Sequence, residues 1–329
     1  MIVKLDKEDK EIHIYKTIIA QLTKHLKQNN MLSSEHFPIA QHIDSCSTTE
    51  NGLFILEDIR AYGYKRDILS NQEGLDYEHS LLTVARLARF HATSYCYVQD
   101  ILTDGDTNLD VLVVEKTFRN IPKINDENIL IVENLIREQH GYKQFSSVYE
   151  MLVEALRGRP LHSESQNTSS AFQSFCHGSV VRENILFQYE SQLNSKLLCR
   201  DAILQNLSSG HFGSCVFDLI QFIFTSIEAE VRQSFLADFV CSVYYDNFAK
   251  AVSKMRNDRN PKIFSKKEWI REFDSKIMFG LLFALPYSFP GLCHDRKWSD
   301  EEMVRLKTFV NPMIKDIIQF KLNARATFD

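Results

Sequence analysis

Two segments of the chain carry polar side chains that could do chemistry, and a stretch with the pattern of a short hairpin separates them. These side chains belong to His177, Ser179, Asn184, Asn206 and Asp218. A hairpin brings the residue before its first strand close to the residue after its second strand. Side chains at these two places can therefore meet at one point, where they could hold a metal ion or orient a reacting group.

The elements around these segments follow from hydrophobic spacing. Residues 185–187 and 196–207 predict the two strands of the hairpin, with a polar turn over 190–195. Residues 52–58 predict a buried strand that ends on two acids, and residues 158–171 predict a polar loop. Helices are predicted over residues 8–28, 76–98, 126–140, 147–157, 218–251 and from 299 onward. Asp76 is a plausible cap of the second of these, and Ser299 with Glu302 predicts a capping box at the start of the last.

The two polar segments resemble the ecdysteroid kinase-like family, a relative of choline and aminoglycoside kinases. The resemblance rests on two motifs: His177-Gly178-Ser179 followed by Asn184, and Asn206-Leu207-Ser208 followed by Asp218. In the family the first motif reads His-Gly-Asp with a later Asn, and the second reads Asp-Phe-Gln with a later Asp. The resemblance implies an ATP-dependent small-molecule kinase that uses Mg²⁺, with carboxylates that position the acceptor and the metal.

The resemblance reaches further along the chain. It implies that Lys4 corresponds to the lysine that binds ATP phosphates and Glu11 to its helix partner. Residues 53–58 look like the hinge strand that holds adenine, which ends on Glu57 and Asp58. The helix Leu87–Ala92 and the region Phe279–Pro286 also fit. The resemblance gives Asn184 and Asn206 as the metal positions, His177 as a loop scaffold and Asp218 as a brace of the catalytic loop.

The chain departs from the family at the positions that should do the chemistry. Ser179 stands where the family has its catalytic Asp, and Asn206 stands where it has the metal-binding Asp. Serine is a poor general base, and loss of such a base removes roughly 10²- to 10⁴-fold in rate. Asparagine offers magnesium an oxygen without charge, whereas the ion prefers one or two carboxylates. Glu183 could substitute, although neighbours on a strand point to opposite faces.

The start of the chain is the third departure. If Lys4 lies on the family's lysine strand, the first two strands and the phosphate loop are missing upstream. Seven residues from Lys4 to Glu11 are short for a strand, a turn and a helix start, which favours Lys4 as a solvent-facing side chain. We therefore expect an α+β, protein-kinase-like, two-lobed fold with a truncated N-lobe over residues 1–60 and a helical C-lobe over 61–329.

Each site residue also has an ordinary structural interpretation. His177 could be a loop histidine and Asn184 a turn residue, while Ser179 and Asn206 could be solvated polar side chains. Glu57 and Asp58 could be surface acids, because adenine recognition at a hinge uses backbone groups. Asp218 fits a structural role, and the aromatic residues from 217 to 248 fit a core.

Composition excludes several classes of protein. The net charge of -5 argues against a broad nucleic-acid surface, and no apolar run reaches the length of a membrane span. Seven cysteines without a CxxC pair indicate reduced thiols in a cytoplasmic protein and no zinc site. The sequons Asn167-Thr168-Ser169 and Asn206-Leu207-Ser208 are taken as chance matches, because no secretory signal is apparent.

Three functions fit these observations. The first is a degenerate kinase that binds a nucleotide or a small hydrophobic ligand without efficient transfer. The second is an active phosphotransferase with a rewired site, which acts on a hydroxyl of a steroid-like or other small molecule. The third is a truncated member of the family with little function. The acceptor and any protein partner are not indicated by the sequence.

Overall fold

The computed structural model describes residues 2–6, 10–31, 37–47, 52–67, 74–104, 123–138, 145–157, 170–191, 197–258 and 263–328. The predicted loop over 158–171 and the predicted turn over 190–195 lie mostly outside the described residues, as does Asn167. None of the described helices is long and apolar enough to cross a membrane.

The amino-terminal part is a three-stranded antiparallel sheet with one helix against it. Strand β3 (Gly52–Leu56) lies in the middle, between β1 (Ile2–Asp6) and β2 (His42–Ser47). The helix consists of α1 (Lys10–Ile14), a π turn over Tyr15–Ile19 and α2 (Ala20–Gln28). The helix predicted over 8–28 and the strand predicted over 52–58 are therefore confirmed.

The helix packs its apolar face on the sheet. Ile12, Ile18, Leu22 and Leu26 are almost fully buried, and the ring of Tyr15 lies 5.8 Å from that of Phe54 on β3. These positions follow the three-and-four spacing that produced the helix prediction.

The hairpin that separates the two polar segments is present. Strand β6 (Ile185–Ser191) pairs antiparallel with β7 (Leu197–Leu204), and β4 (Tyr64–Lys65) adds to the other edge of β6. A second small pair, β5 (Gln173–Cys176) with β8 (His211–Ser214), lies at the base of the hairpin. The strand predicted up to residue 207 ends at 204, because the chain turns at Asn206 into a short 3₁₀ turn over Leu207–Ser209.

The remaining chain is mostly helical. The helices are α3 (Tyr77–Asp104), α4 (Asp126–Arg137), α5 (Ser146–Leu156), α6 (Val216–Ser226), α7 (Ala229–Asp238), α8 (Tyr245–Arg256), α9 (Lys266–Lys276), α10 (Phe279–Ser288) and α11 (Asp300–Phe328). The helix predicted over 218–251 is thus several elements, α6, α7, a π turn and α8. The capping box predicted at Ser299 is confirmed, because Ser299 Oγ accepts from Glu302 N at 3.2 Å and Glu302 Oε2 accepts from Ser299 N at 3.0 Å.

Helix α3 is the central support of this helical part. Asp76 caps it as predicted, since its carboxylate accepts the backbone N–H of His79 at 3.0 Å. Arg86 on α3 forms an ion pair with Asp201 on β7, and the hydroxyl of Tyr64 donates to the same carboxylate at 2.6 Å. These contacts fasten the hairpin to α3 and so fix the two polar segments that the hairpin carries.

Candidate functional site

The segment after β5 forms the loop that carries His177, Gly178 and Ser179. Gly178 has φ +76°, and a Cβ built there would lie 2.1 Å from the carbonyl oxygen of Ser209. Only glycine combines this left-handed backbone with so close an approach. The glycine therefore brings the loop against the segment that follows Asn206.

Asp218, at the start of α6, holds the backbone of this loop. Its carboxylate accepts the N–H of His177 at 2.6 Å and the N–H of Gly178 at 2.9 Å. Burial alone would raise the pKa of Asp218, but the hydrogen bond from His91 and the nearby histidines outweigh burial and lower that pKa. The carboxylate is thus held ionised and faces backbone donors, not the solvent.

Two residues that the sequence analysis did not single out complete this support. The hydroxyl of Tyr244 donates to Nδ1 of His91 at 2.7 Å, and Nε2–H of His91 donates to Asp218 at 3.0 Å. All three side chains are buried. His91 and Tyr244 are 153 positions apart along the chain, so the sequence carries no local signal that could have paired them.

His91, Cys176 and Asp218 lie close enough together to resemble a metal site. Both oxygens of Asp218 accept hydrogen bonds, and the thiol of Cys176 donates to the carbonyl of Gly213 at 3.5 Å. Burial raises the pKa of the Cys176 thiol well above its usual value. A protonated thiol and a fully engaged carboxylate make a buried hydrogen-bond cluster and not a metal centre.

His177 is also buried and neutral. Its Nε2–H donates to the carbonyl of Gln205 at 2.9 Å, while Nδ1 accepts the backbone N–H of Ser179 at 3.3 Å. Burial is the main cause of the lowered pKa of His177. The ring links the loop before the hairpin to the segment after it, so it lies between the two polar segments.

Ser179 and Asn184 lie in direct contact. The side-chain amide of Asn184 donates to Oγ of Ser179 at 3.0 Å and to its carbonyl at 2.9 Å. A 3₁₀ turn over Arg182–Asn184 places Asn184 at the start of β6 and makes this contact across five residues possible. The positions that correspond to the family's base and to its first metal ligand are therefore neighbours.

Asn206 reaches the same point from the other end of the hairpin. Its Nδ2 donates to Oδ1 of Asn184 at 3.4 Å, and its Oδ1 accepts the hydroxyl of Ser208 at 2.8 Å. The backbone of Asn206 is left-handed, with φ 66°, a conformation that asparagine adopts more readily than most residues. The structure thus brings Ser179, Asn184 and Asn206 together, as the hairpin argument predicts.

Lys4 on β1 lies against Glu11 on α1. The ammonium of Lys4 forms an ion pair with Oε2 of Glu11, and the other oxygen of Glu11 accepts the backbone N–H of Leu207 at 3.0 Å. Glu11 is 2% exposed. The argument that the segment is too short is therefore wrong, because β1 and α1 do fit into it and Lys4 belongs to a paired strand. Its side chain keeps 36% of its surface exposed while the ammonium pairs with the buried carboxylate of Glu11.

A cavity of about 650 Å³ lies between β1, β4 and the hairpin. Its walls include Ile2 of β1, Leu186 and Tyr189 of β6, and Gln205, which directly precedes Asn206. The basic residues Arg60, Lys65 and Arg66 also line it. We call this cavity the hairpin cleft. It combines apolar walls with positive charge.

Glu57 and Asp58 do not line the hairpin cleft. Glu57 accepts the hydroxyl of Tyr62 at 3.0 Å. Asp58 caps the 3₁₀ turn that follows it and pairs with Arg60, with Nε 2.7 Å from Oδ1. The hydrogen bond from Arg60 lowers the pKa of Asp58. Both carboxylates are thus engaged by side chains that lie two to five residues further along the chain.

Glu183 is directed away from the Ser179–Asn206 contact point. Its carboxylate accepts the hydroxyl of Tyr287 on α10. Burial, followed by this hydrogen bond, raises the pKa of Tyr287. Tyr287 was also absent from the sequence analysis.

A three-stranded sheet with its lysine–glutamate pair, a loop–hairpin unit and a helical lobe define a protein-kinase-like fold of the small-molecule kinase type. Residues 1–257 match the ecdysteroid kinase-like family. The chain belongs to that family. The predicted recognition and fold class are confirmed, while the absence of the first strands and the division at residue 60 stay predictions.

Solved structures include similar chains. One is an aminoglycoside phosphotransferase from Alicyclobacillus acidocaldarius subsp. acidocaldarius DSM 446, with 11% identity, a TM-score of 0.47, and coverage of 99% of this chain and 86% of that one. Another is an aminoglycoside-3'-phosphotransferase of type VIII, with 9% identity, a TM-score of 0.28, and coverage of 96% and 84%. No curated protein matches the chain.

Proposed function

We propose that this chain is a degenerate kinase that binds a nucleotide without magnesium and does not transfer its phosphate efficiently. The observation that carries the proposal is the hydrogen bond between the side-chain amides of Asn184 and Asn206, 3.4 Å apart. These are the two positions at which the family binds its metal. The family has an Asn and an Asp at these positions, whereas this chain has two asparagines that are neutral and bonded to each other.

The donor atoms at this point do not fit magnesium. The ion prefers one or two carboxylates together with substrate phosphates. Asn184 and Asn206 supply no charge, and each of their amide oxygens already accepts a hydrogen bond. In an active kinase magnesium would neutralise charge on the transferred phosphate, so its loss removes much of the catalytic power.

The proton-accepting position is also neutral. Ser179 Oγ accepts a hydrogen bond from Asn184, and an alcohol takes up a proton poorly at neutral pH. Loss of a general base costs roughly 10²- to 10⁴-fold in rate. Glu183, the alternative carboxylate, is engaged with Tyr287. No described contact therefore favours the rewired phosphotransferase.

The charge and the apolar walls of the hairpin cleft support nucleotide binding. The hairpin cleft offers apolar walls at Ile2 and Leu186 and basic side chains at Arg60, Lys65 and Arg66. Lys4, paired with Glu11, lies two residues after Ile2 on the same face of β1. A planar base suits the apolar walls, and phosphates suit the ammonium of Lys4. These features support the proposal that ATP binds in this cleft, although the donor atoms at Asn184 and Asn206 do not suit the metal.

We also place the protein in the cytosol, as a proposal. The six described cysteines outside β2 are free thiols, most of them buried. Unpaired cysteines are typical of proteins in reducing compartments.

The test is a pair of measurements on the purified protein. Saturating ATP in EDTA is expected to stabilise the fold, by about 2.7 kcal/mol at 100 times its Kd. Transfer of the γ-phosphate to hydroxylated acceptors with magnesium is expected to stay at background. Robust magnesium-dependent turnover that Asn184→Ala abolishes would contradict the proposal and support the active phosphotransferase.

A further inference from the structure

A second cavity, of about 900 Å³, lies between the α1–α2 helix and the hairpin. It is larger than the hairpin cleft and within the range of small-molecule sites. Of the described residues that line the two cavities, only Tyr64 is common to both. We call this second space the helix-side cavity.

The inner wall of the helix-side cavity is apolar. It is formed by Tyr15, Ile19, Phe37, Ala40, Ile59 and Ala202, each less than 9% exposed. These residues come from the helix, from the segment before β2, from the turn after β3 and from β7. Because these residues belong to four packed elements, the wall is part of the folded core and is not formed by a single surface loop.

The opening of the cavity carries positive charge. Lys24 and Lys27 line it from α2, and both are exposed. They lie three residues apart on the same helix face as Ala20 and Thr23, which also line the cavity. No ion pair joins either lysine to another described residue.

The acidic residues of the same cavity are engaged elsewhere. Glu57 accepts the hydroxyl of Tyr62 at 3.0 Å. Asp201 pairs with Arg86 and accepts the hydroxyl of Tyr64 at 2.6 Å. The charge that remains available at the opening is therefore that of the two lysines.

We propose that the helix-side cavity binds an amphipathic organic anion, with its apolar body against the inner wall and its acid group at Lys24 and Lys27. Apolar surface removed from water supplies the affinity, and the lysines select the anion. This site is separate from the cleft proposed for the nucleotide.

Calorimetric titration with dodecanoate tests the proposal. Ala20 is an exposed helix residue that lines the cavity, so Ala20→Trp obstructs the cavity without disturbing the core. We expect this variant to weaken dodecanoate binding at least about tenfold. His13→Trp, at an exposed position outside the cavity, is the matched control and is expected to bind as the native chain does.

Charge reversal tests the second half of the proposal. Lys24→Glu with Lys27→Glu is expected to weaken dodecanoate binding about tenfold. Lys250→Glu with Lys297→Glu changes the net charge equally at exposed positions outside the cavity and is expected to change binding less than about twofold. Absence of saturable binding, or equal effects of the two double variants, would overturn the proposal.

Lys4→Met separates this site from the nucleotide site. It removes the lysine that pairs with Glu11 and that the proposed nucleotide site uses, and it is expected to leave dodecanoate affinity unchanged, because Lys4 does not line the helix-side cavity. A loss of dodecanoate binding in Lys4→Met that matches its loss of ATP binding would place the anion in the hairpin cleft and overturn the proposal.

Discussion

Asn206 donates its side-chain amide to the amide oxygen of Asn184, at 3.4 Å, across the base of the hairpin. The contact joins the two positions at which related kinases bind their metal. A hydrogen bond between two neutral amides needs no cation, whereas the family's Asp at the position of Asn206 supplies a carboxylate that magnesium would neutralise. This relationship makes the proposed loss of magnesium dependence testable by single substitutions.

Asn206→Asp is expected to restore a magnesium-dependent step in ATP binding. The carboxylate supplies the charge that magnesium prefers, with the amide oxygen of Asn184 beside it. Without magnesium the variant is expected to lose about 1 kcal/mol of unfolding free energy, since the Asn184 oxygen loses its donor. Calorimetric ATP affinity and chemical denaturation, each with magnesium and with EDTA, measure the two effects.

Asn257→Asp is the matched control, because Asn257 also has a left-handed backbone, with φ 47°, and ends α8 far from the cleft residues. This variant is expected to gain no magnesium dependence in its ATP affinity or in its unfolding free energy. Equal ATP affinity of Asn206→Asp with magnesium and with EDTA would contradict the assignment of residue 206 to the metal position. Addition of Ser179→Asp then asks whether a base restores transfer.

Lys4→Met is expected to weaken ATP binding at least about tenfold, because the proposed nucleotide site loses the cation that we assign to the phosphates. It also leaves the buried carboxylate of Glu11 without its partner, at a cost of about 2 kcal/mol of unfolding free energy. Lys16→Met, on the same helix unit as Glu11, removes only a 3.5 Å contact with the carbonyl of Ser45 and serves as the control. ATP affinity unaffected by Lys4→Met would show that Lys4 does not bind phosphate.

Gly178→Ala is expected to destabilise the fold by more than about 3 kcal/mol. The left-handed backbone costs roughly 1–2 kcal/mol for alanine, and the added Cβ would also meet the carbonyl of Ser209 at 2.1 Å. Gly63→Ala isolates the first cost, because Gly63 has φ +84° but its nearest neighbour would lie at 3.9 Å. Denaturant titration compares the variants, and equal losses would contradict the close approach of the loop to Ser209.

The unfolding free energy is expected to fall as the pH falls below 6.5. Burial, the main cause, lowers the pKa of His177 in the folded state from its ordinary 6.5. Between these two pKa values the unfolded chain binds a proton that the folded chain does not, so stability decreases with acidification in this window. Burial lowers the pKa of His25 and of His42 as well, so their contributions add to the slope.

His177→Gln is therefore compared with the native chain by denaturation at pH 7.5 and pH 5.5. The glutamine keeps hydrogen-bonding capacity but binds no proton, so the pH dependence is expected to become shallower. His13→Gln, at an exposed position, is the control and is expected to keep the native slope. An unchanged slope in His177→Gln would show that His177 does not contribute to it.

The sequence predicted the parts of the fold that local patterns determine. The long amphipathic helices, the cap at Asp76, the capping box at Ser299 and the hairpin all follow from spacing and turn chemistry. Strands β2, β4, β5 and β8 were missed. Strands β5 and β8 have only four residues each, and their pairing joins Cys176 to His211, which no local pattern records.

The candidate site was predictable where the hairpin itself brings residues together. Ser179, Asn184 and Asn206 flank it closely, so their meeting follows from its geometry. His91 and Tyr244 depend on the packing of α3 against the helices after the hairpin, and Glu183 with Tyr287 depends on α10. Long-range packing of this kind leaves no trace in the spacing of residue types along the sequence.

The affinity for ATP, measured by calorimetry with excess EDTA and again with excess magnesium, tests the central claim most directly. With neutral amides at residues 184 and 206, the account predicts saturable binding in EDTA that is at least as tight as in magnesium, since the free nucleotide presents more negative charge to Lys4. ATP binding that requires magnesium, or that tightens about tenfold when magnesium is added, would contradict the account.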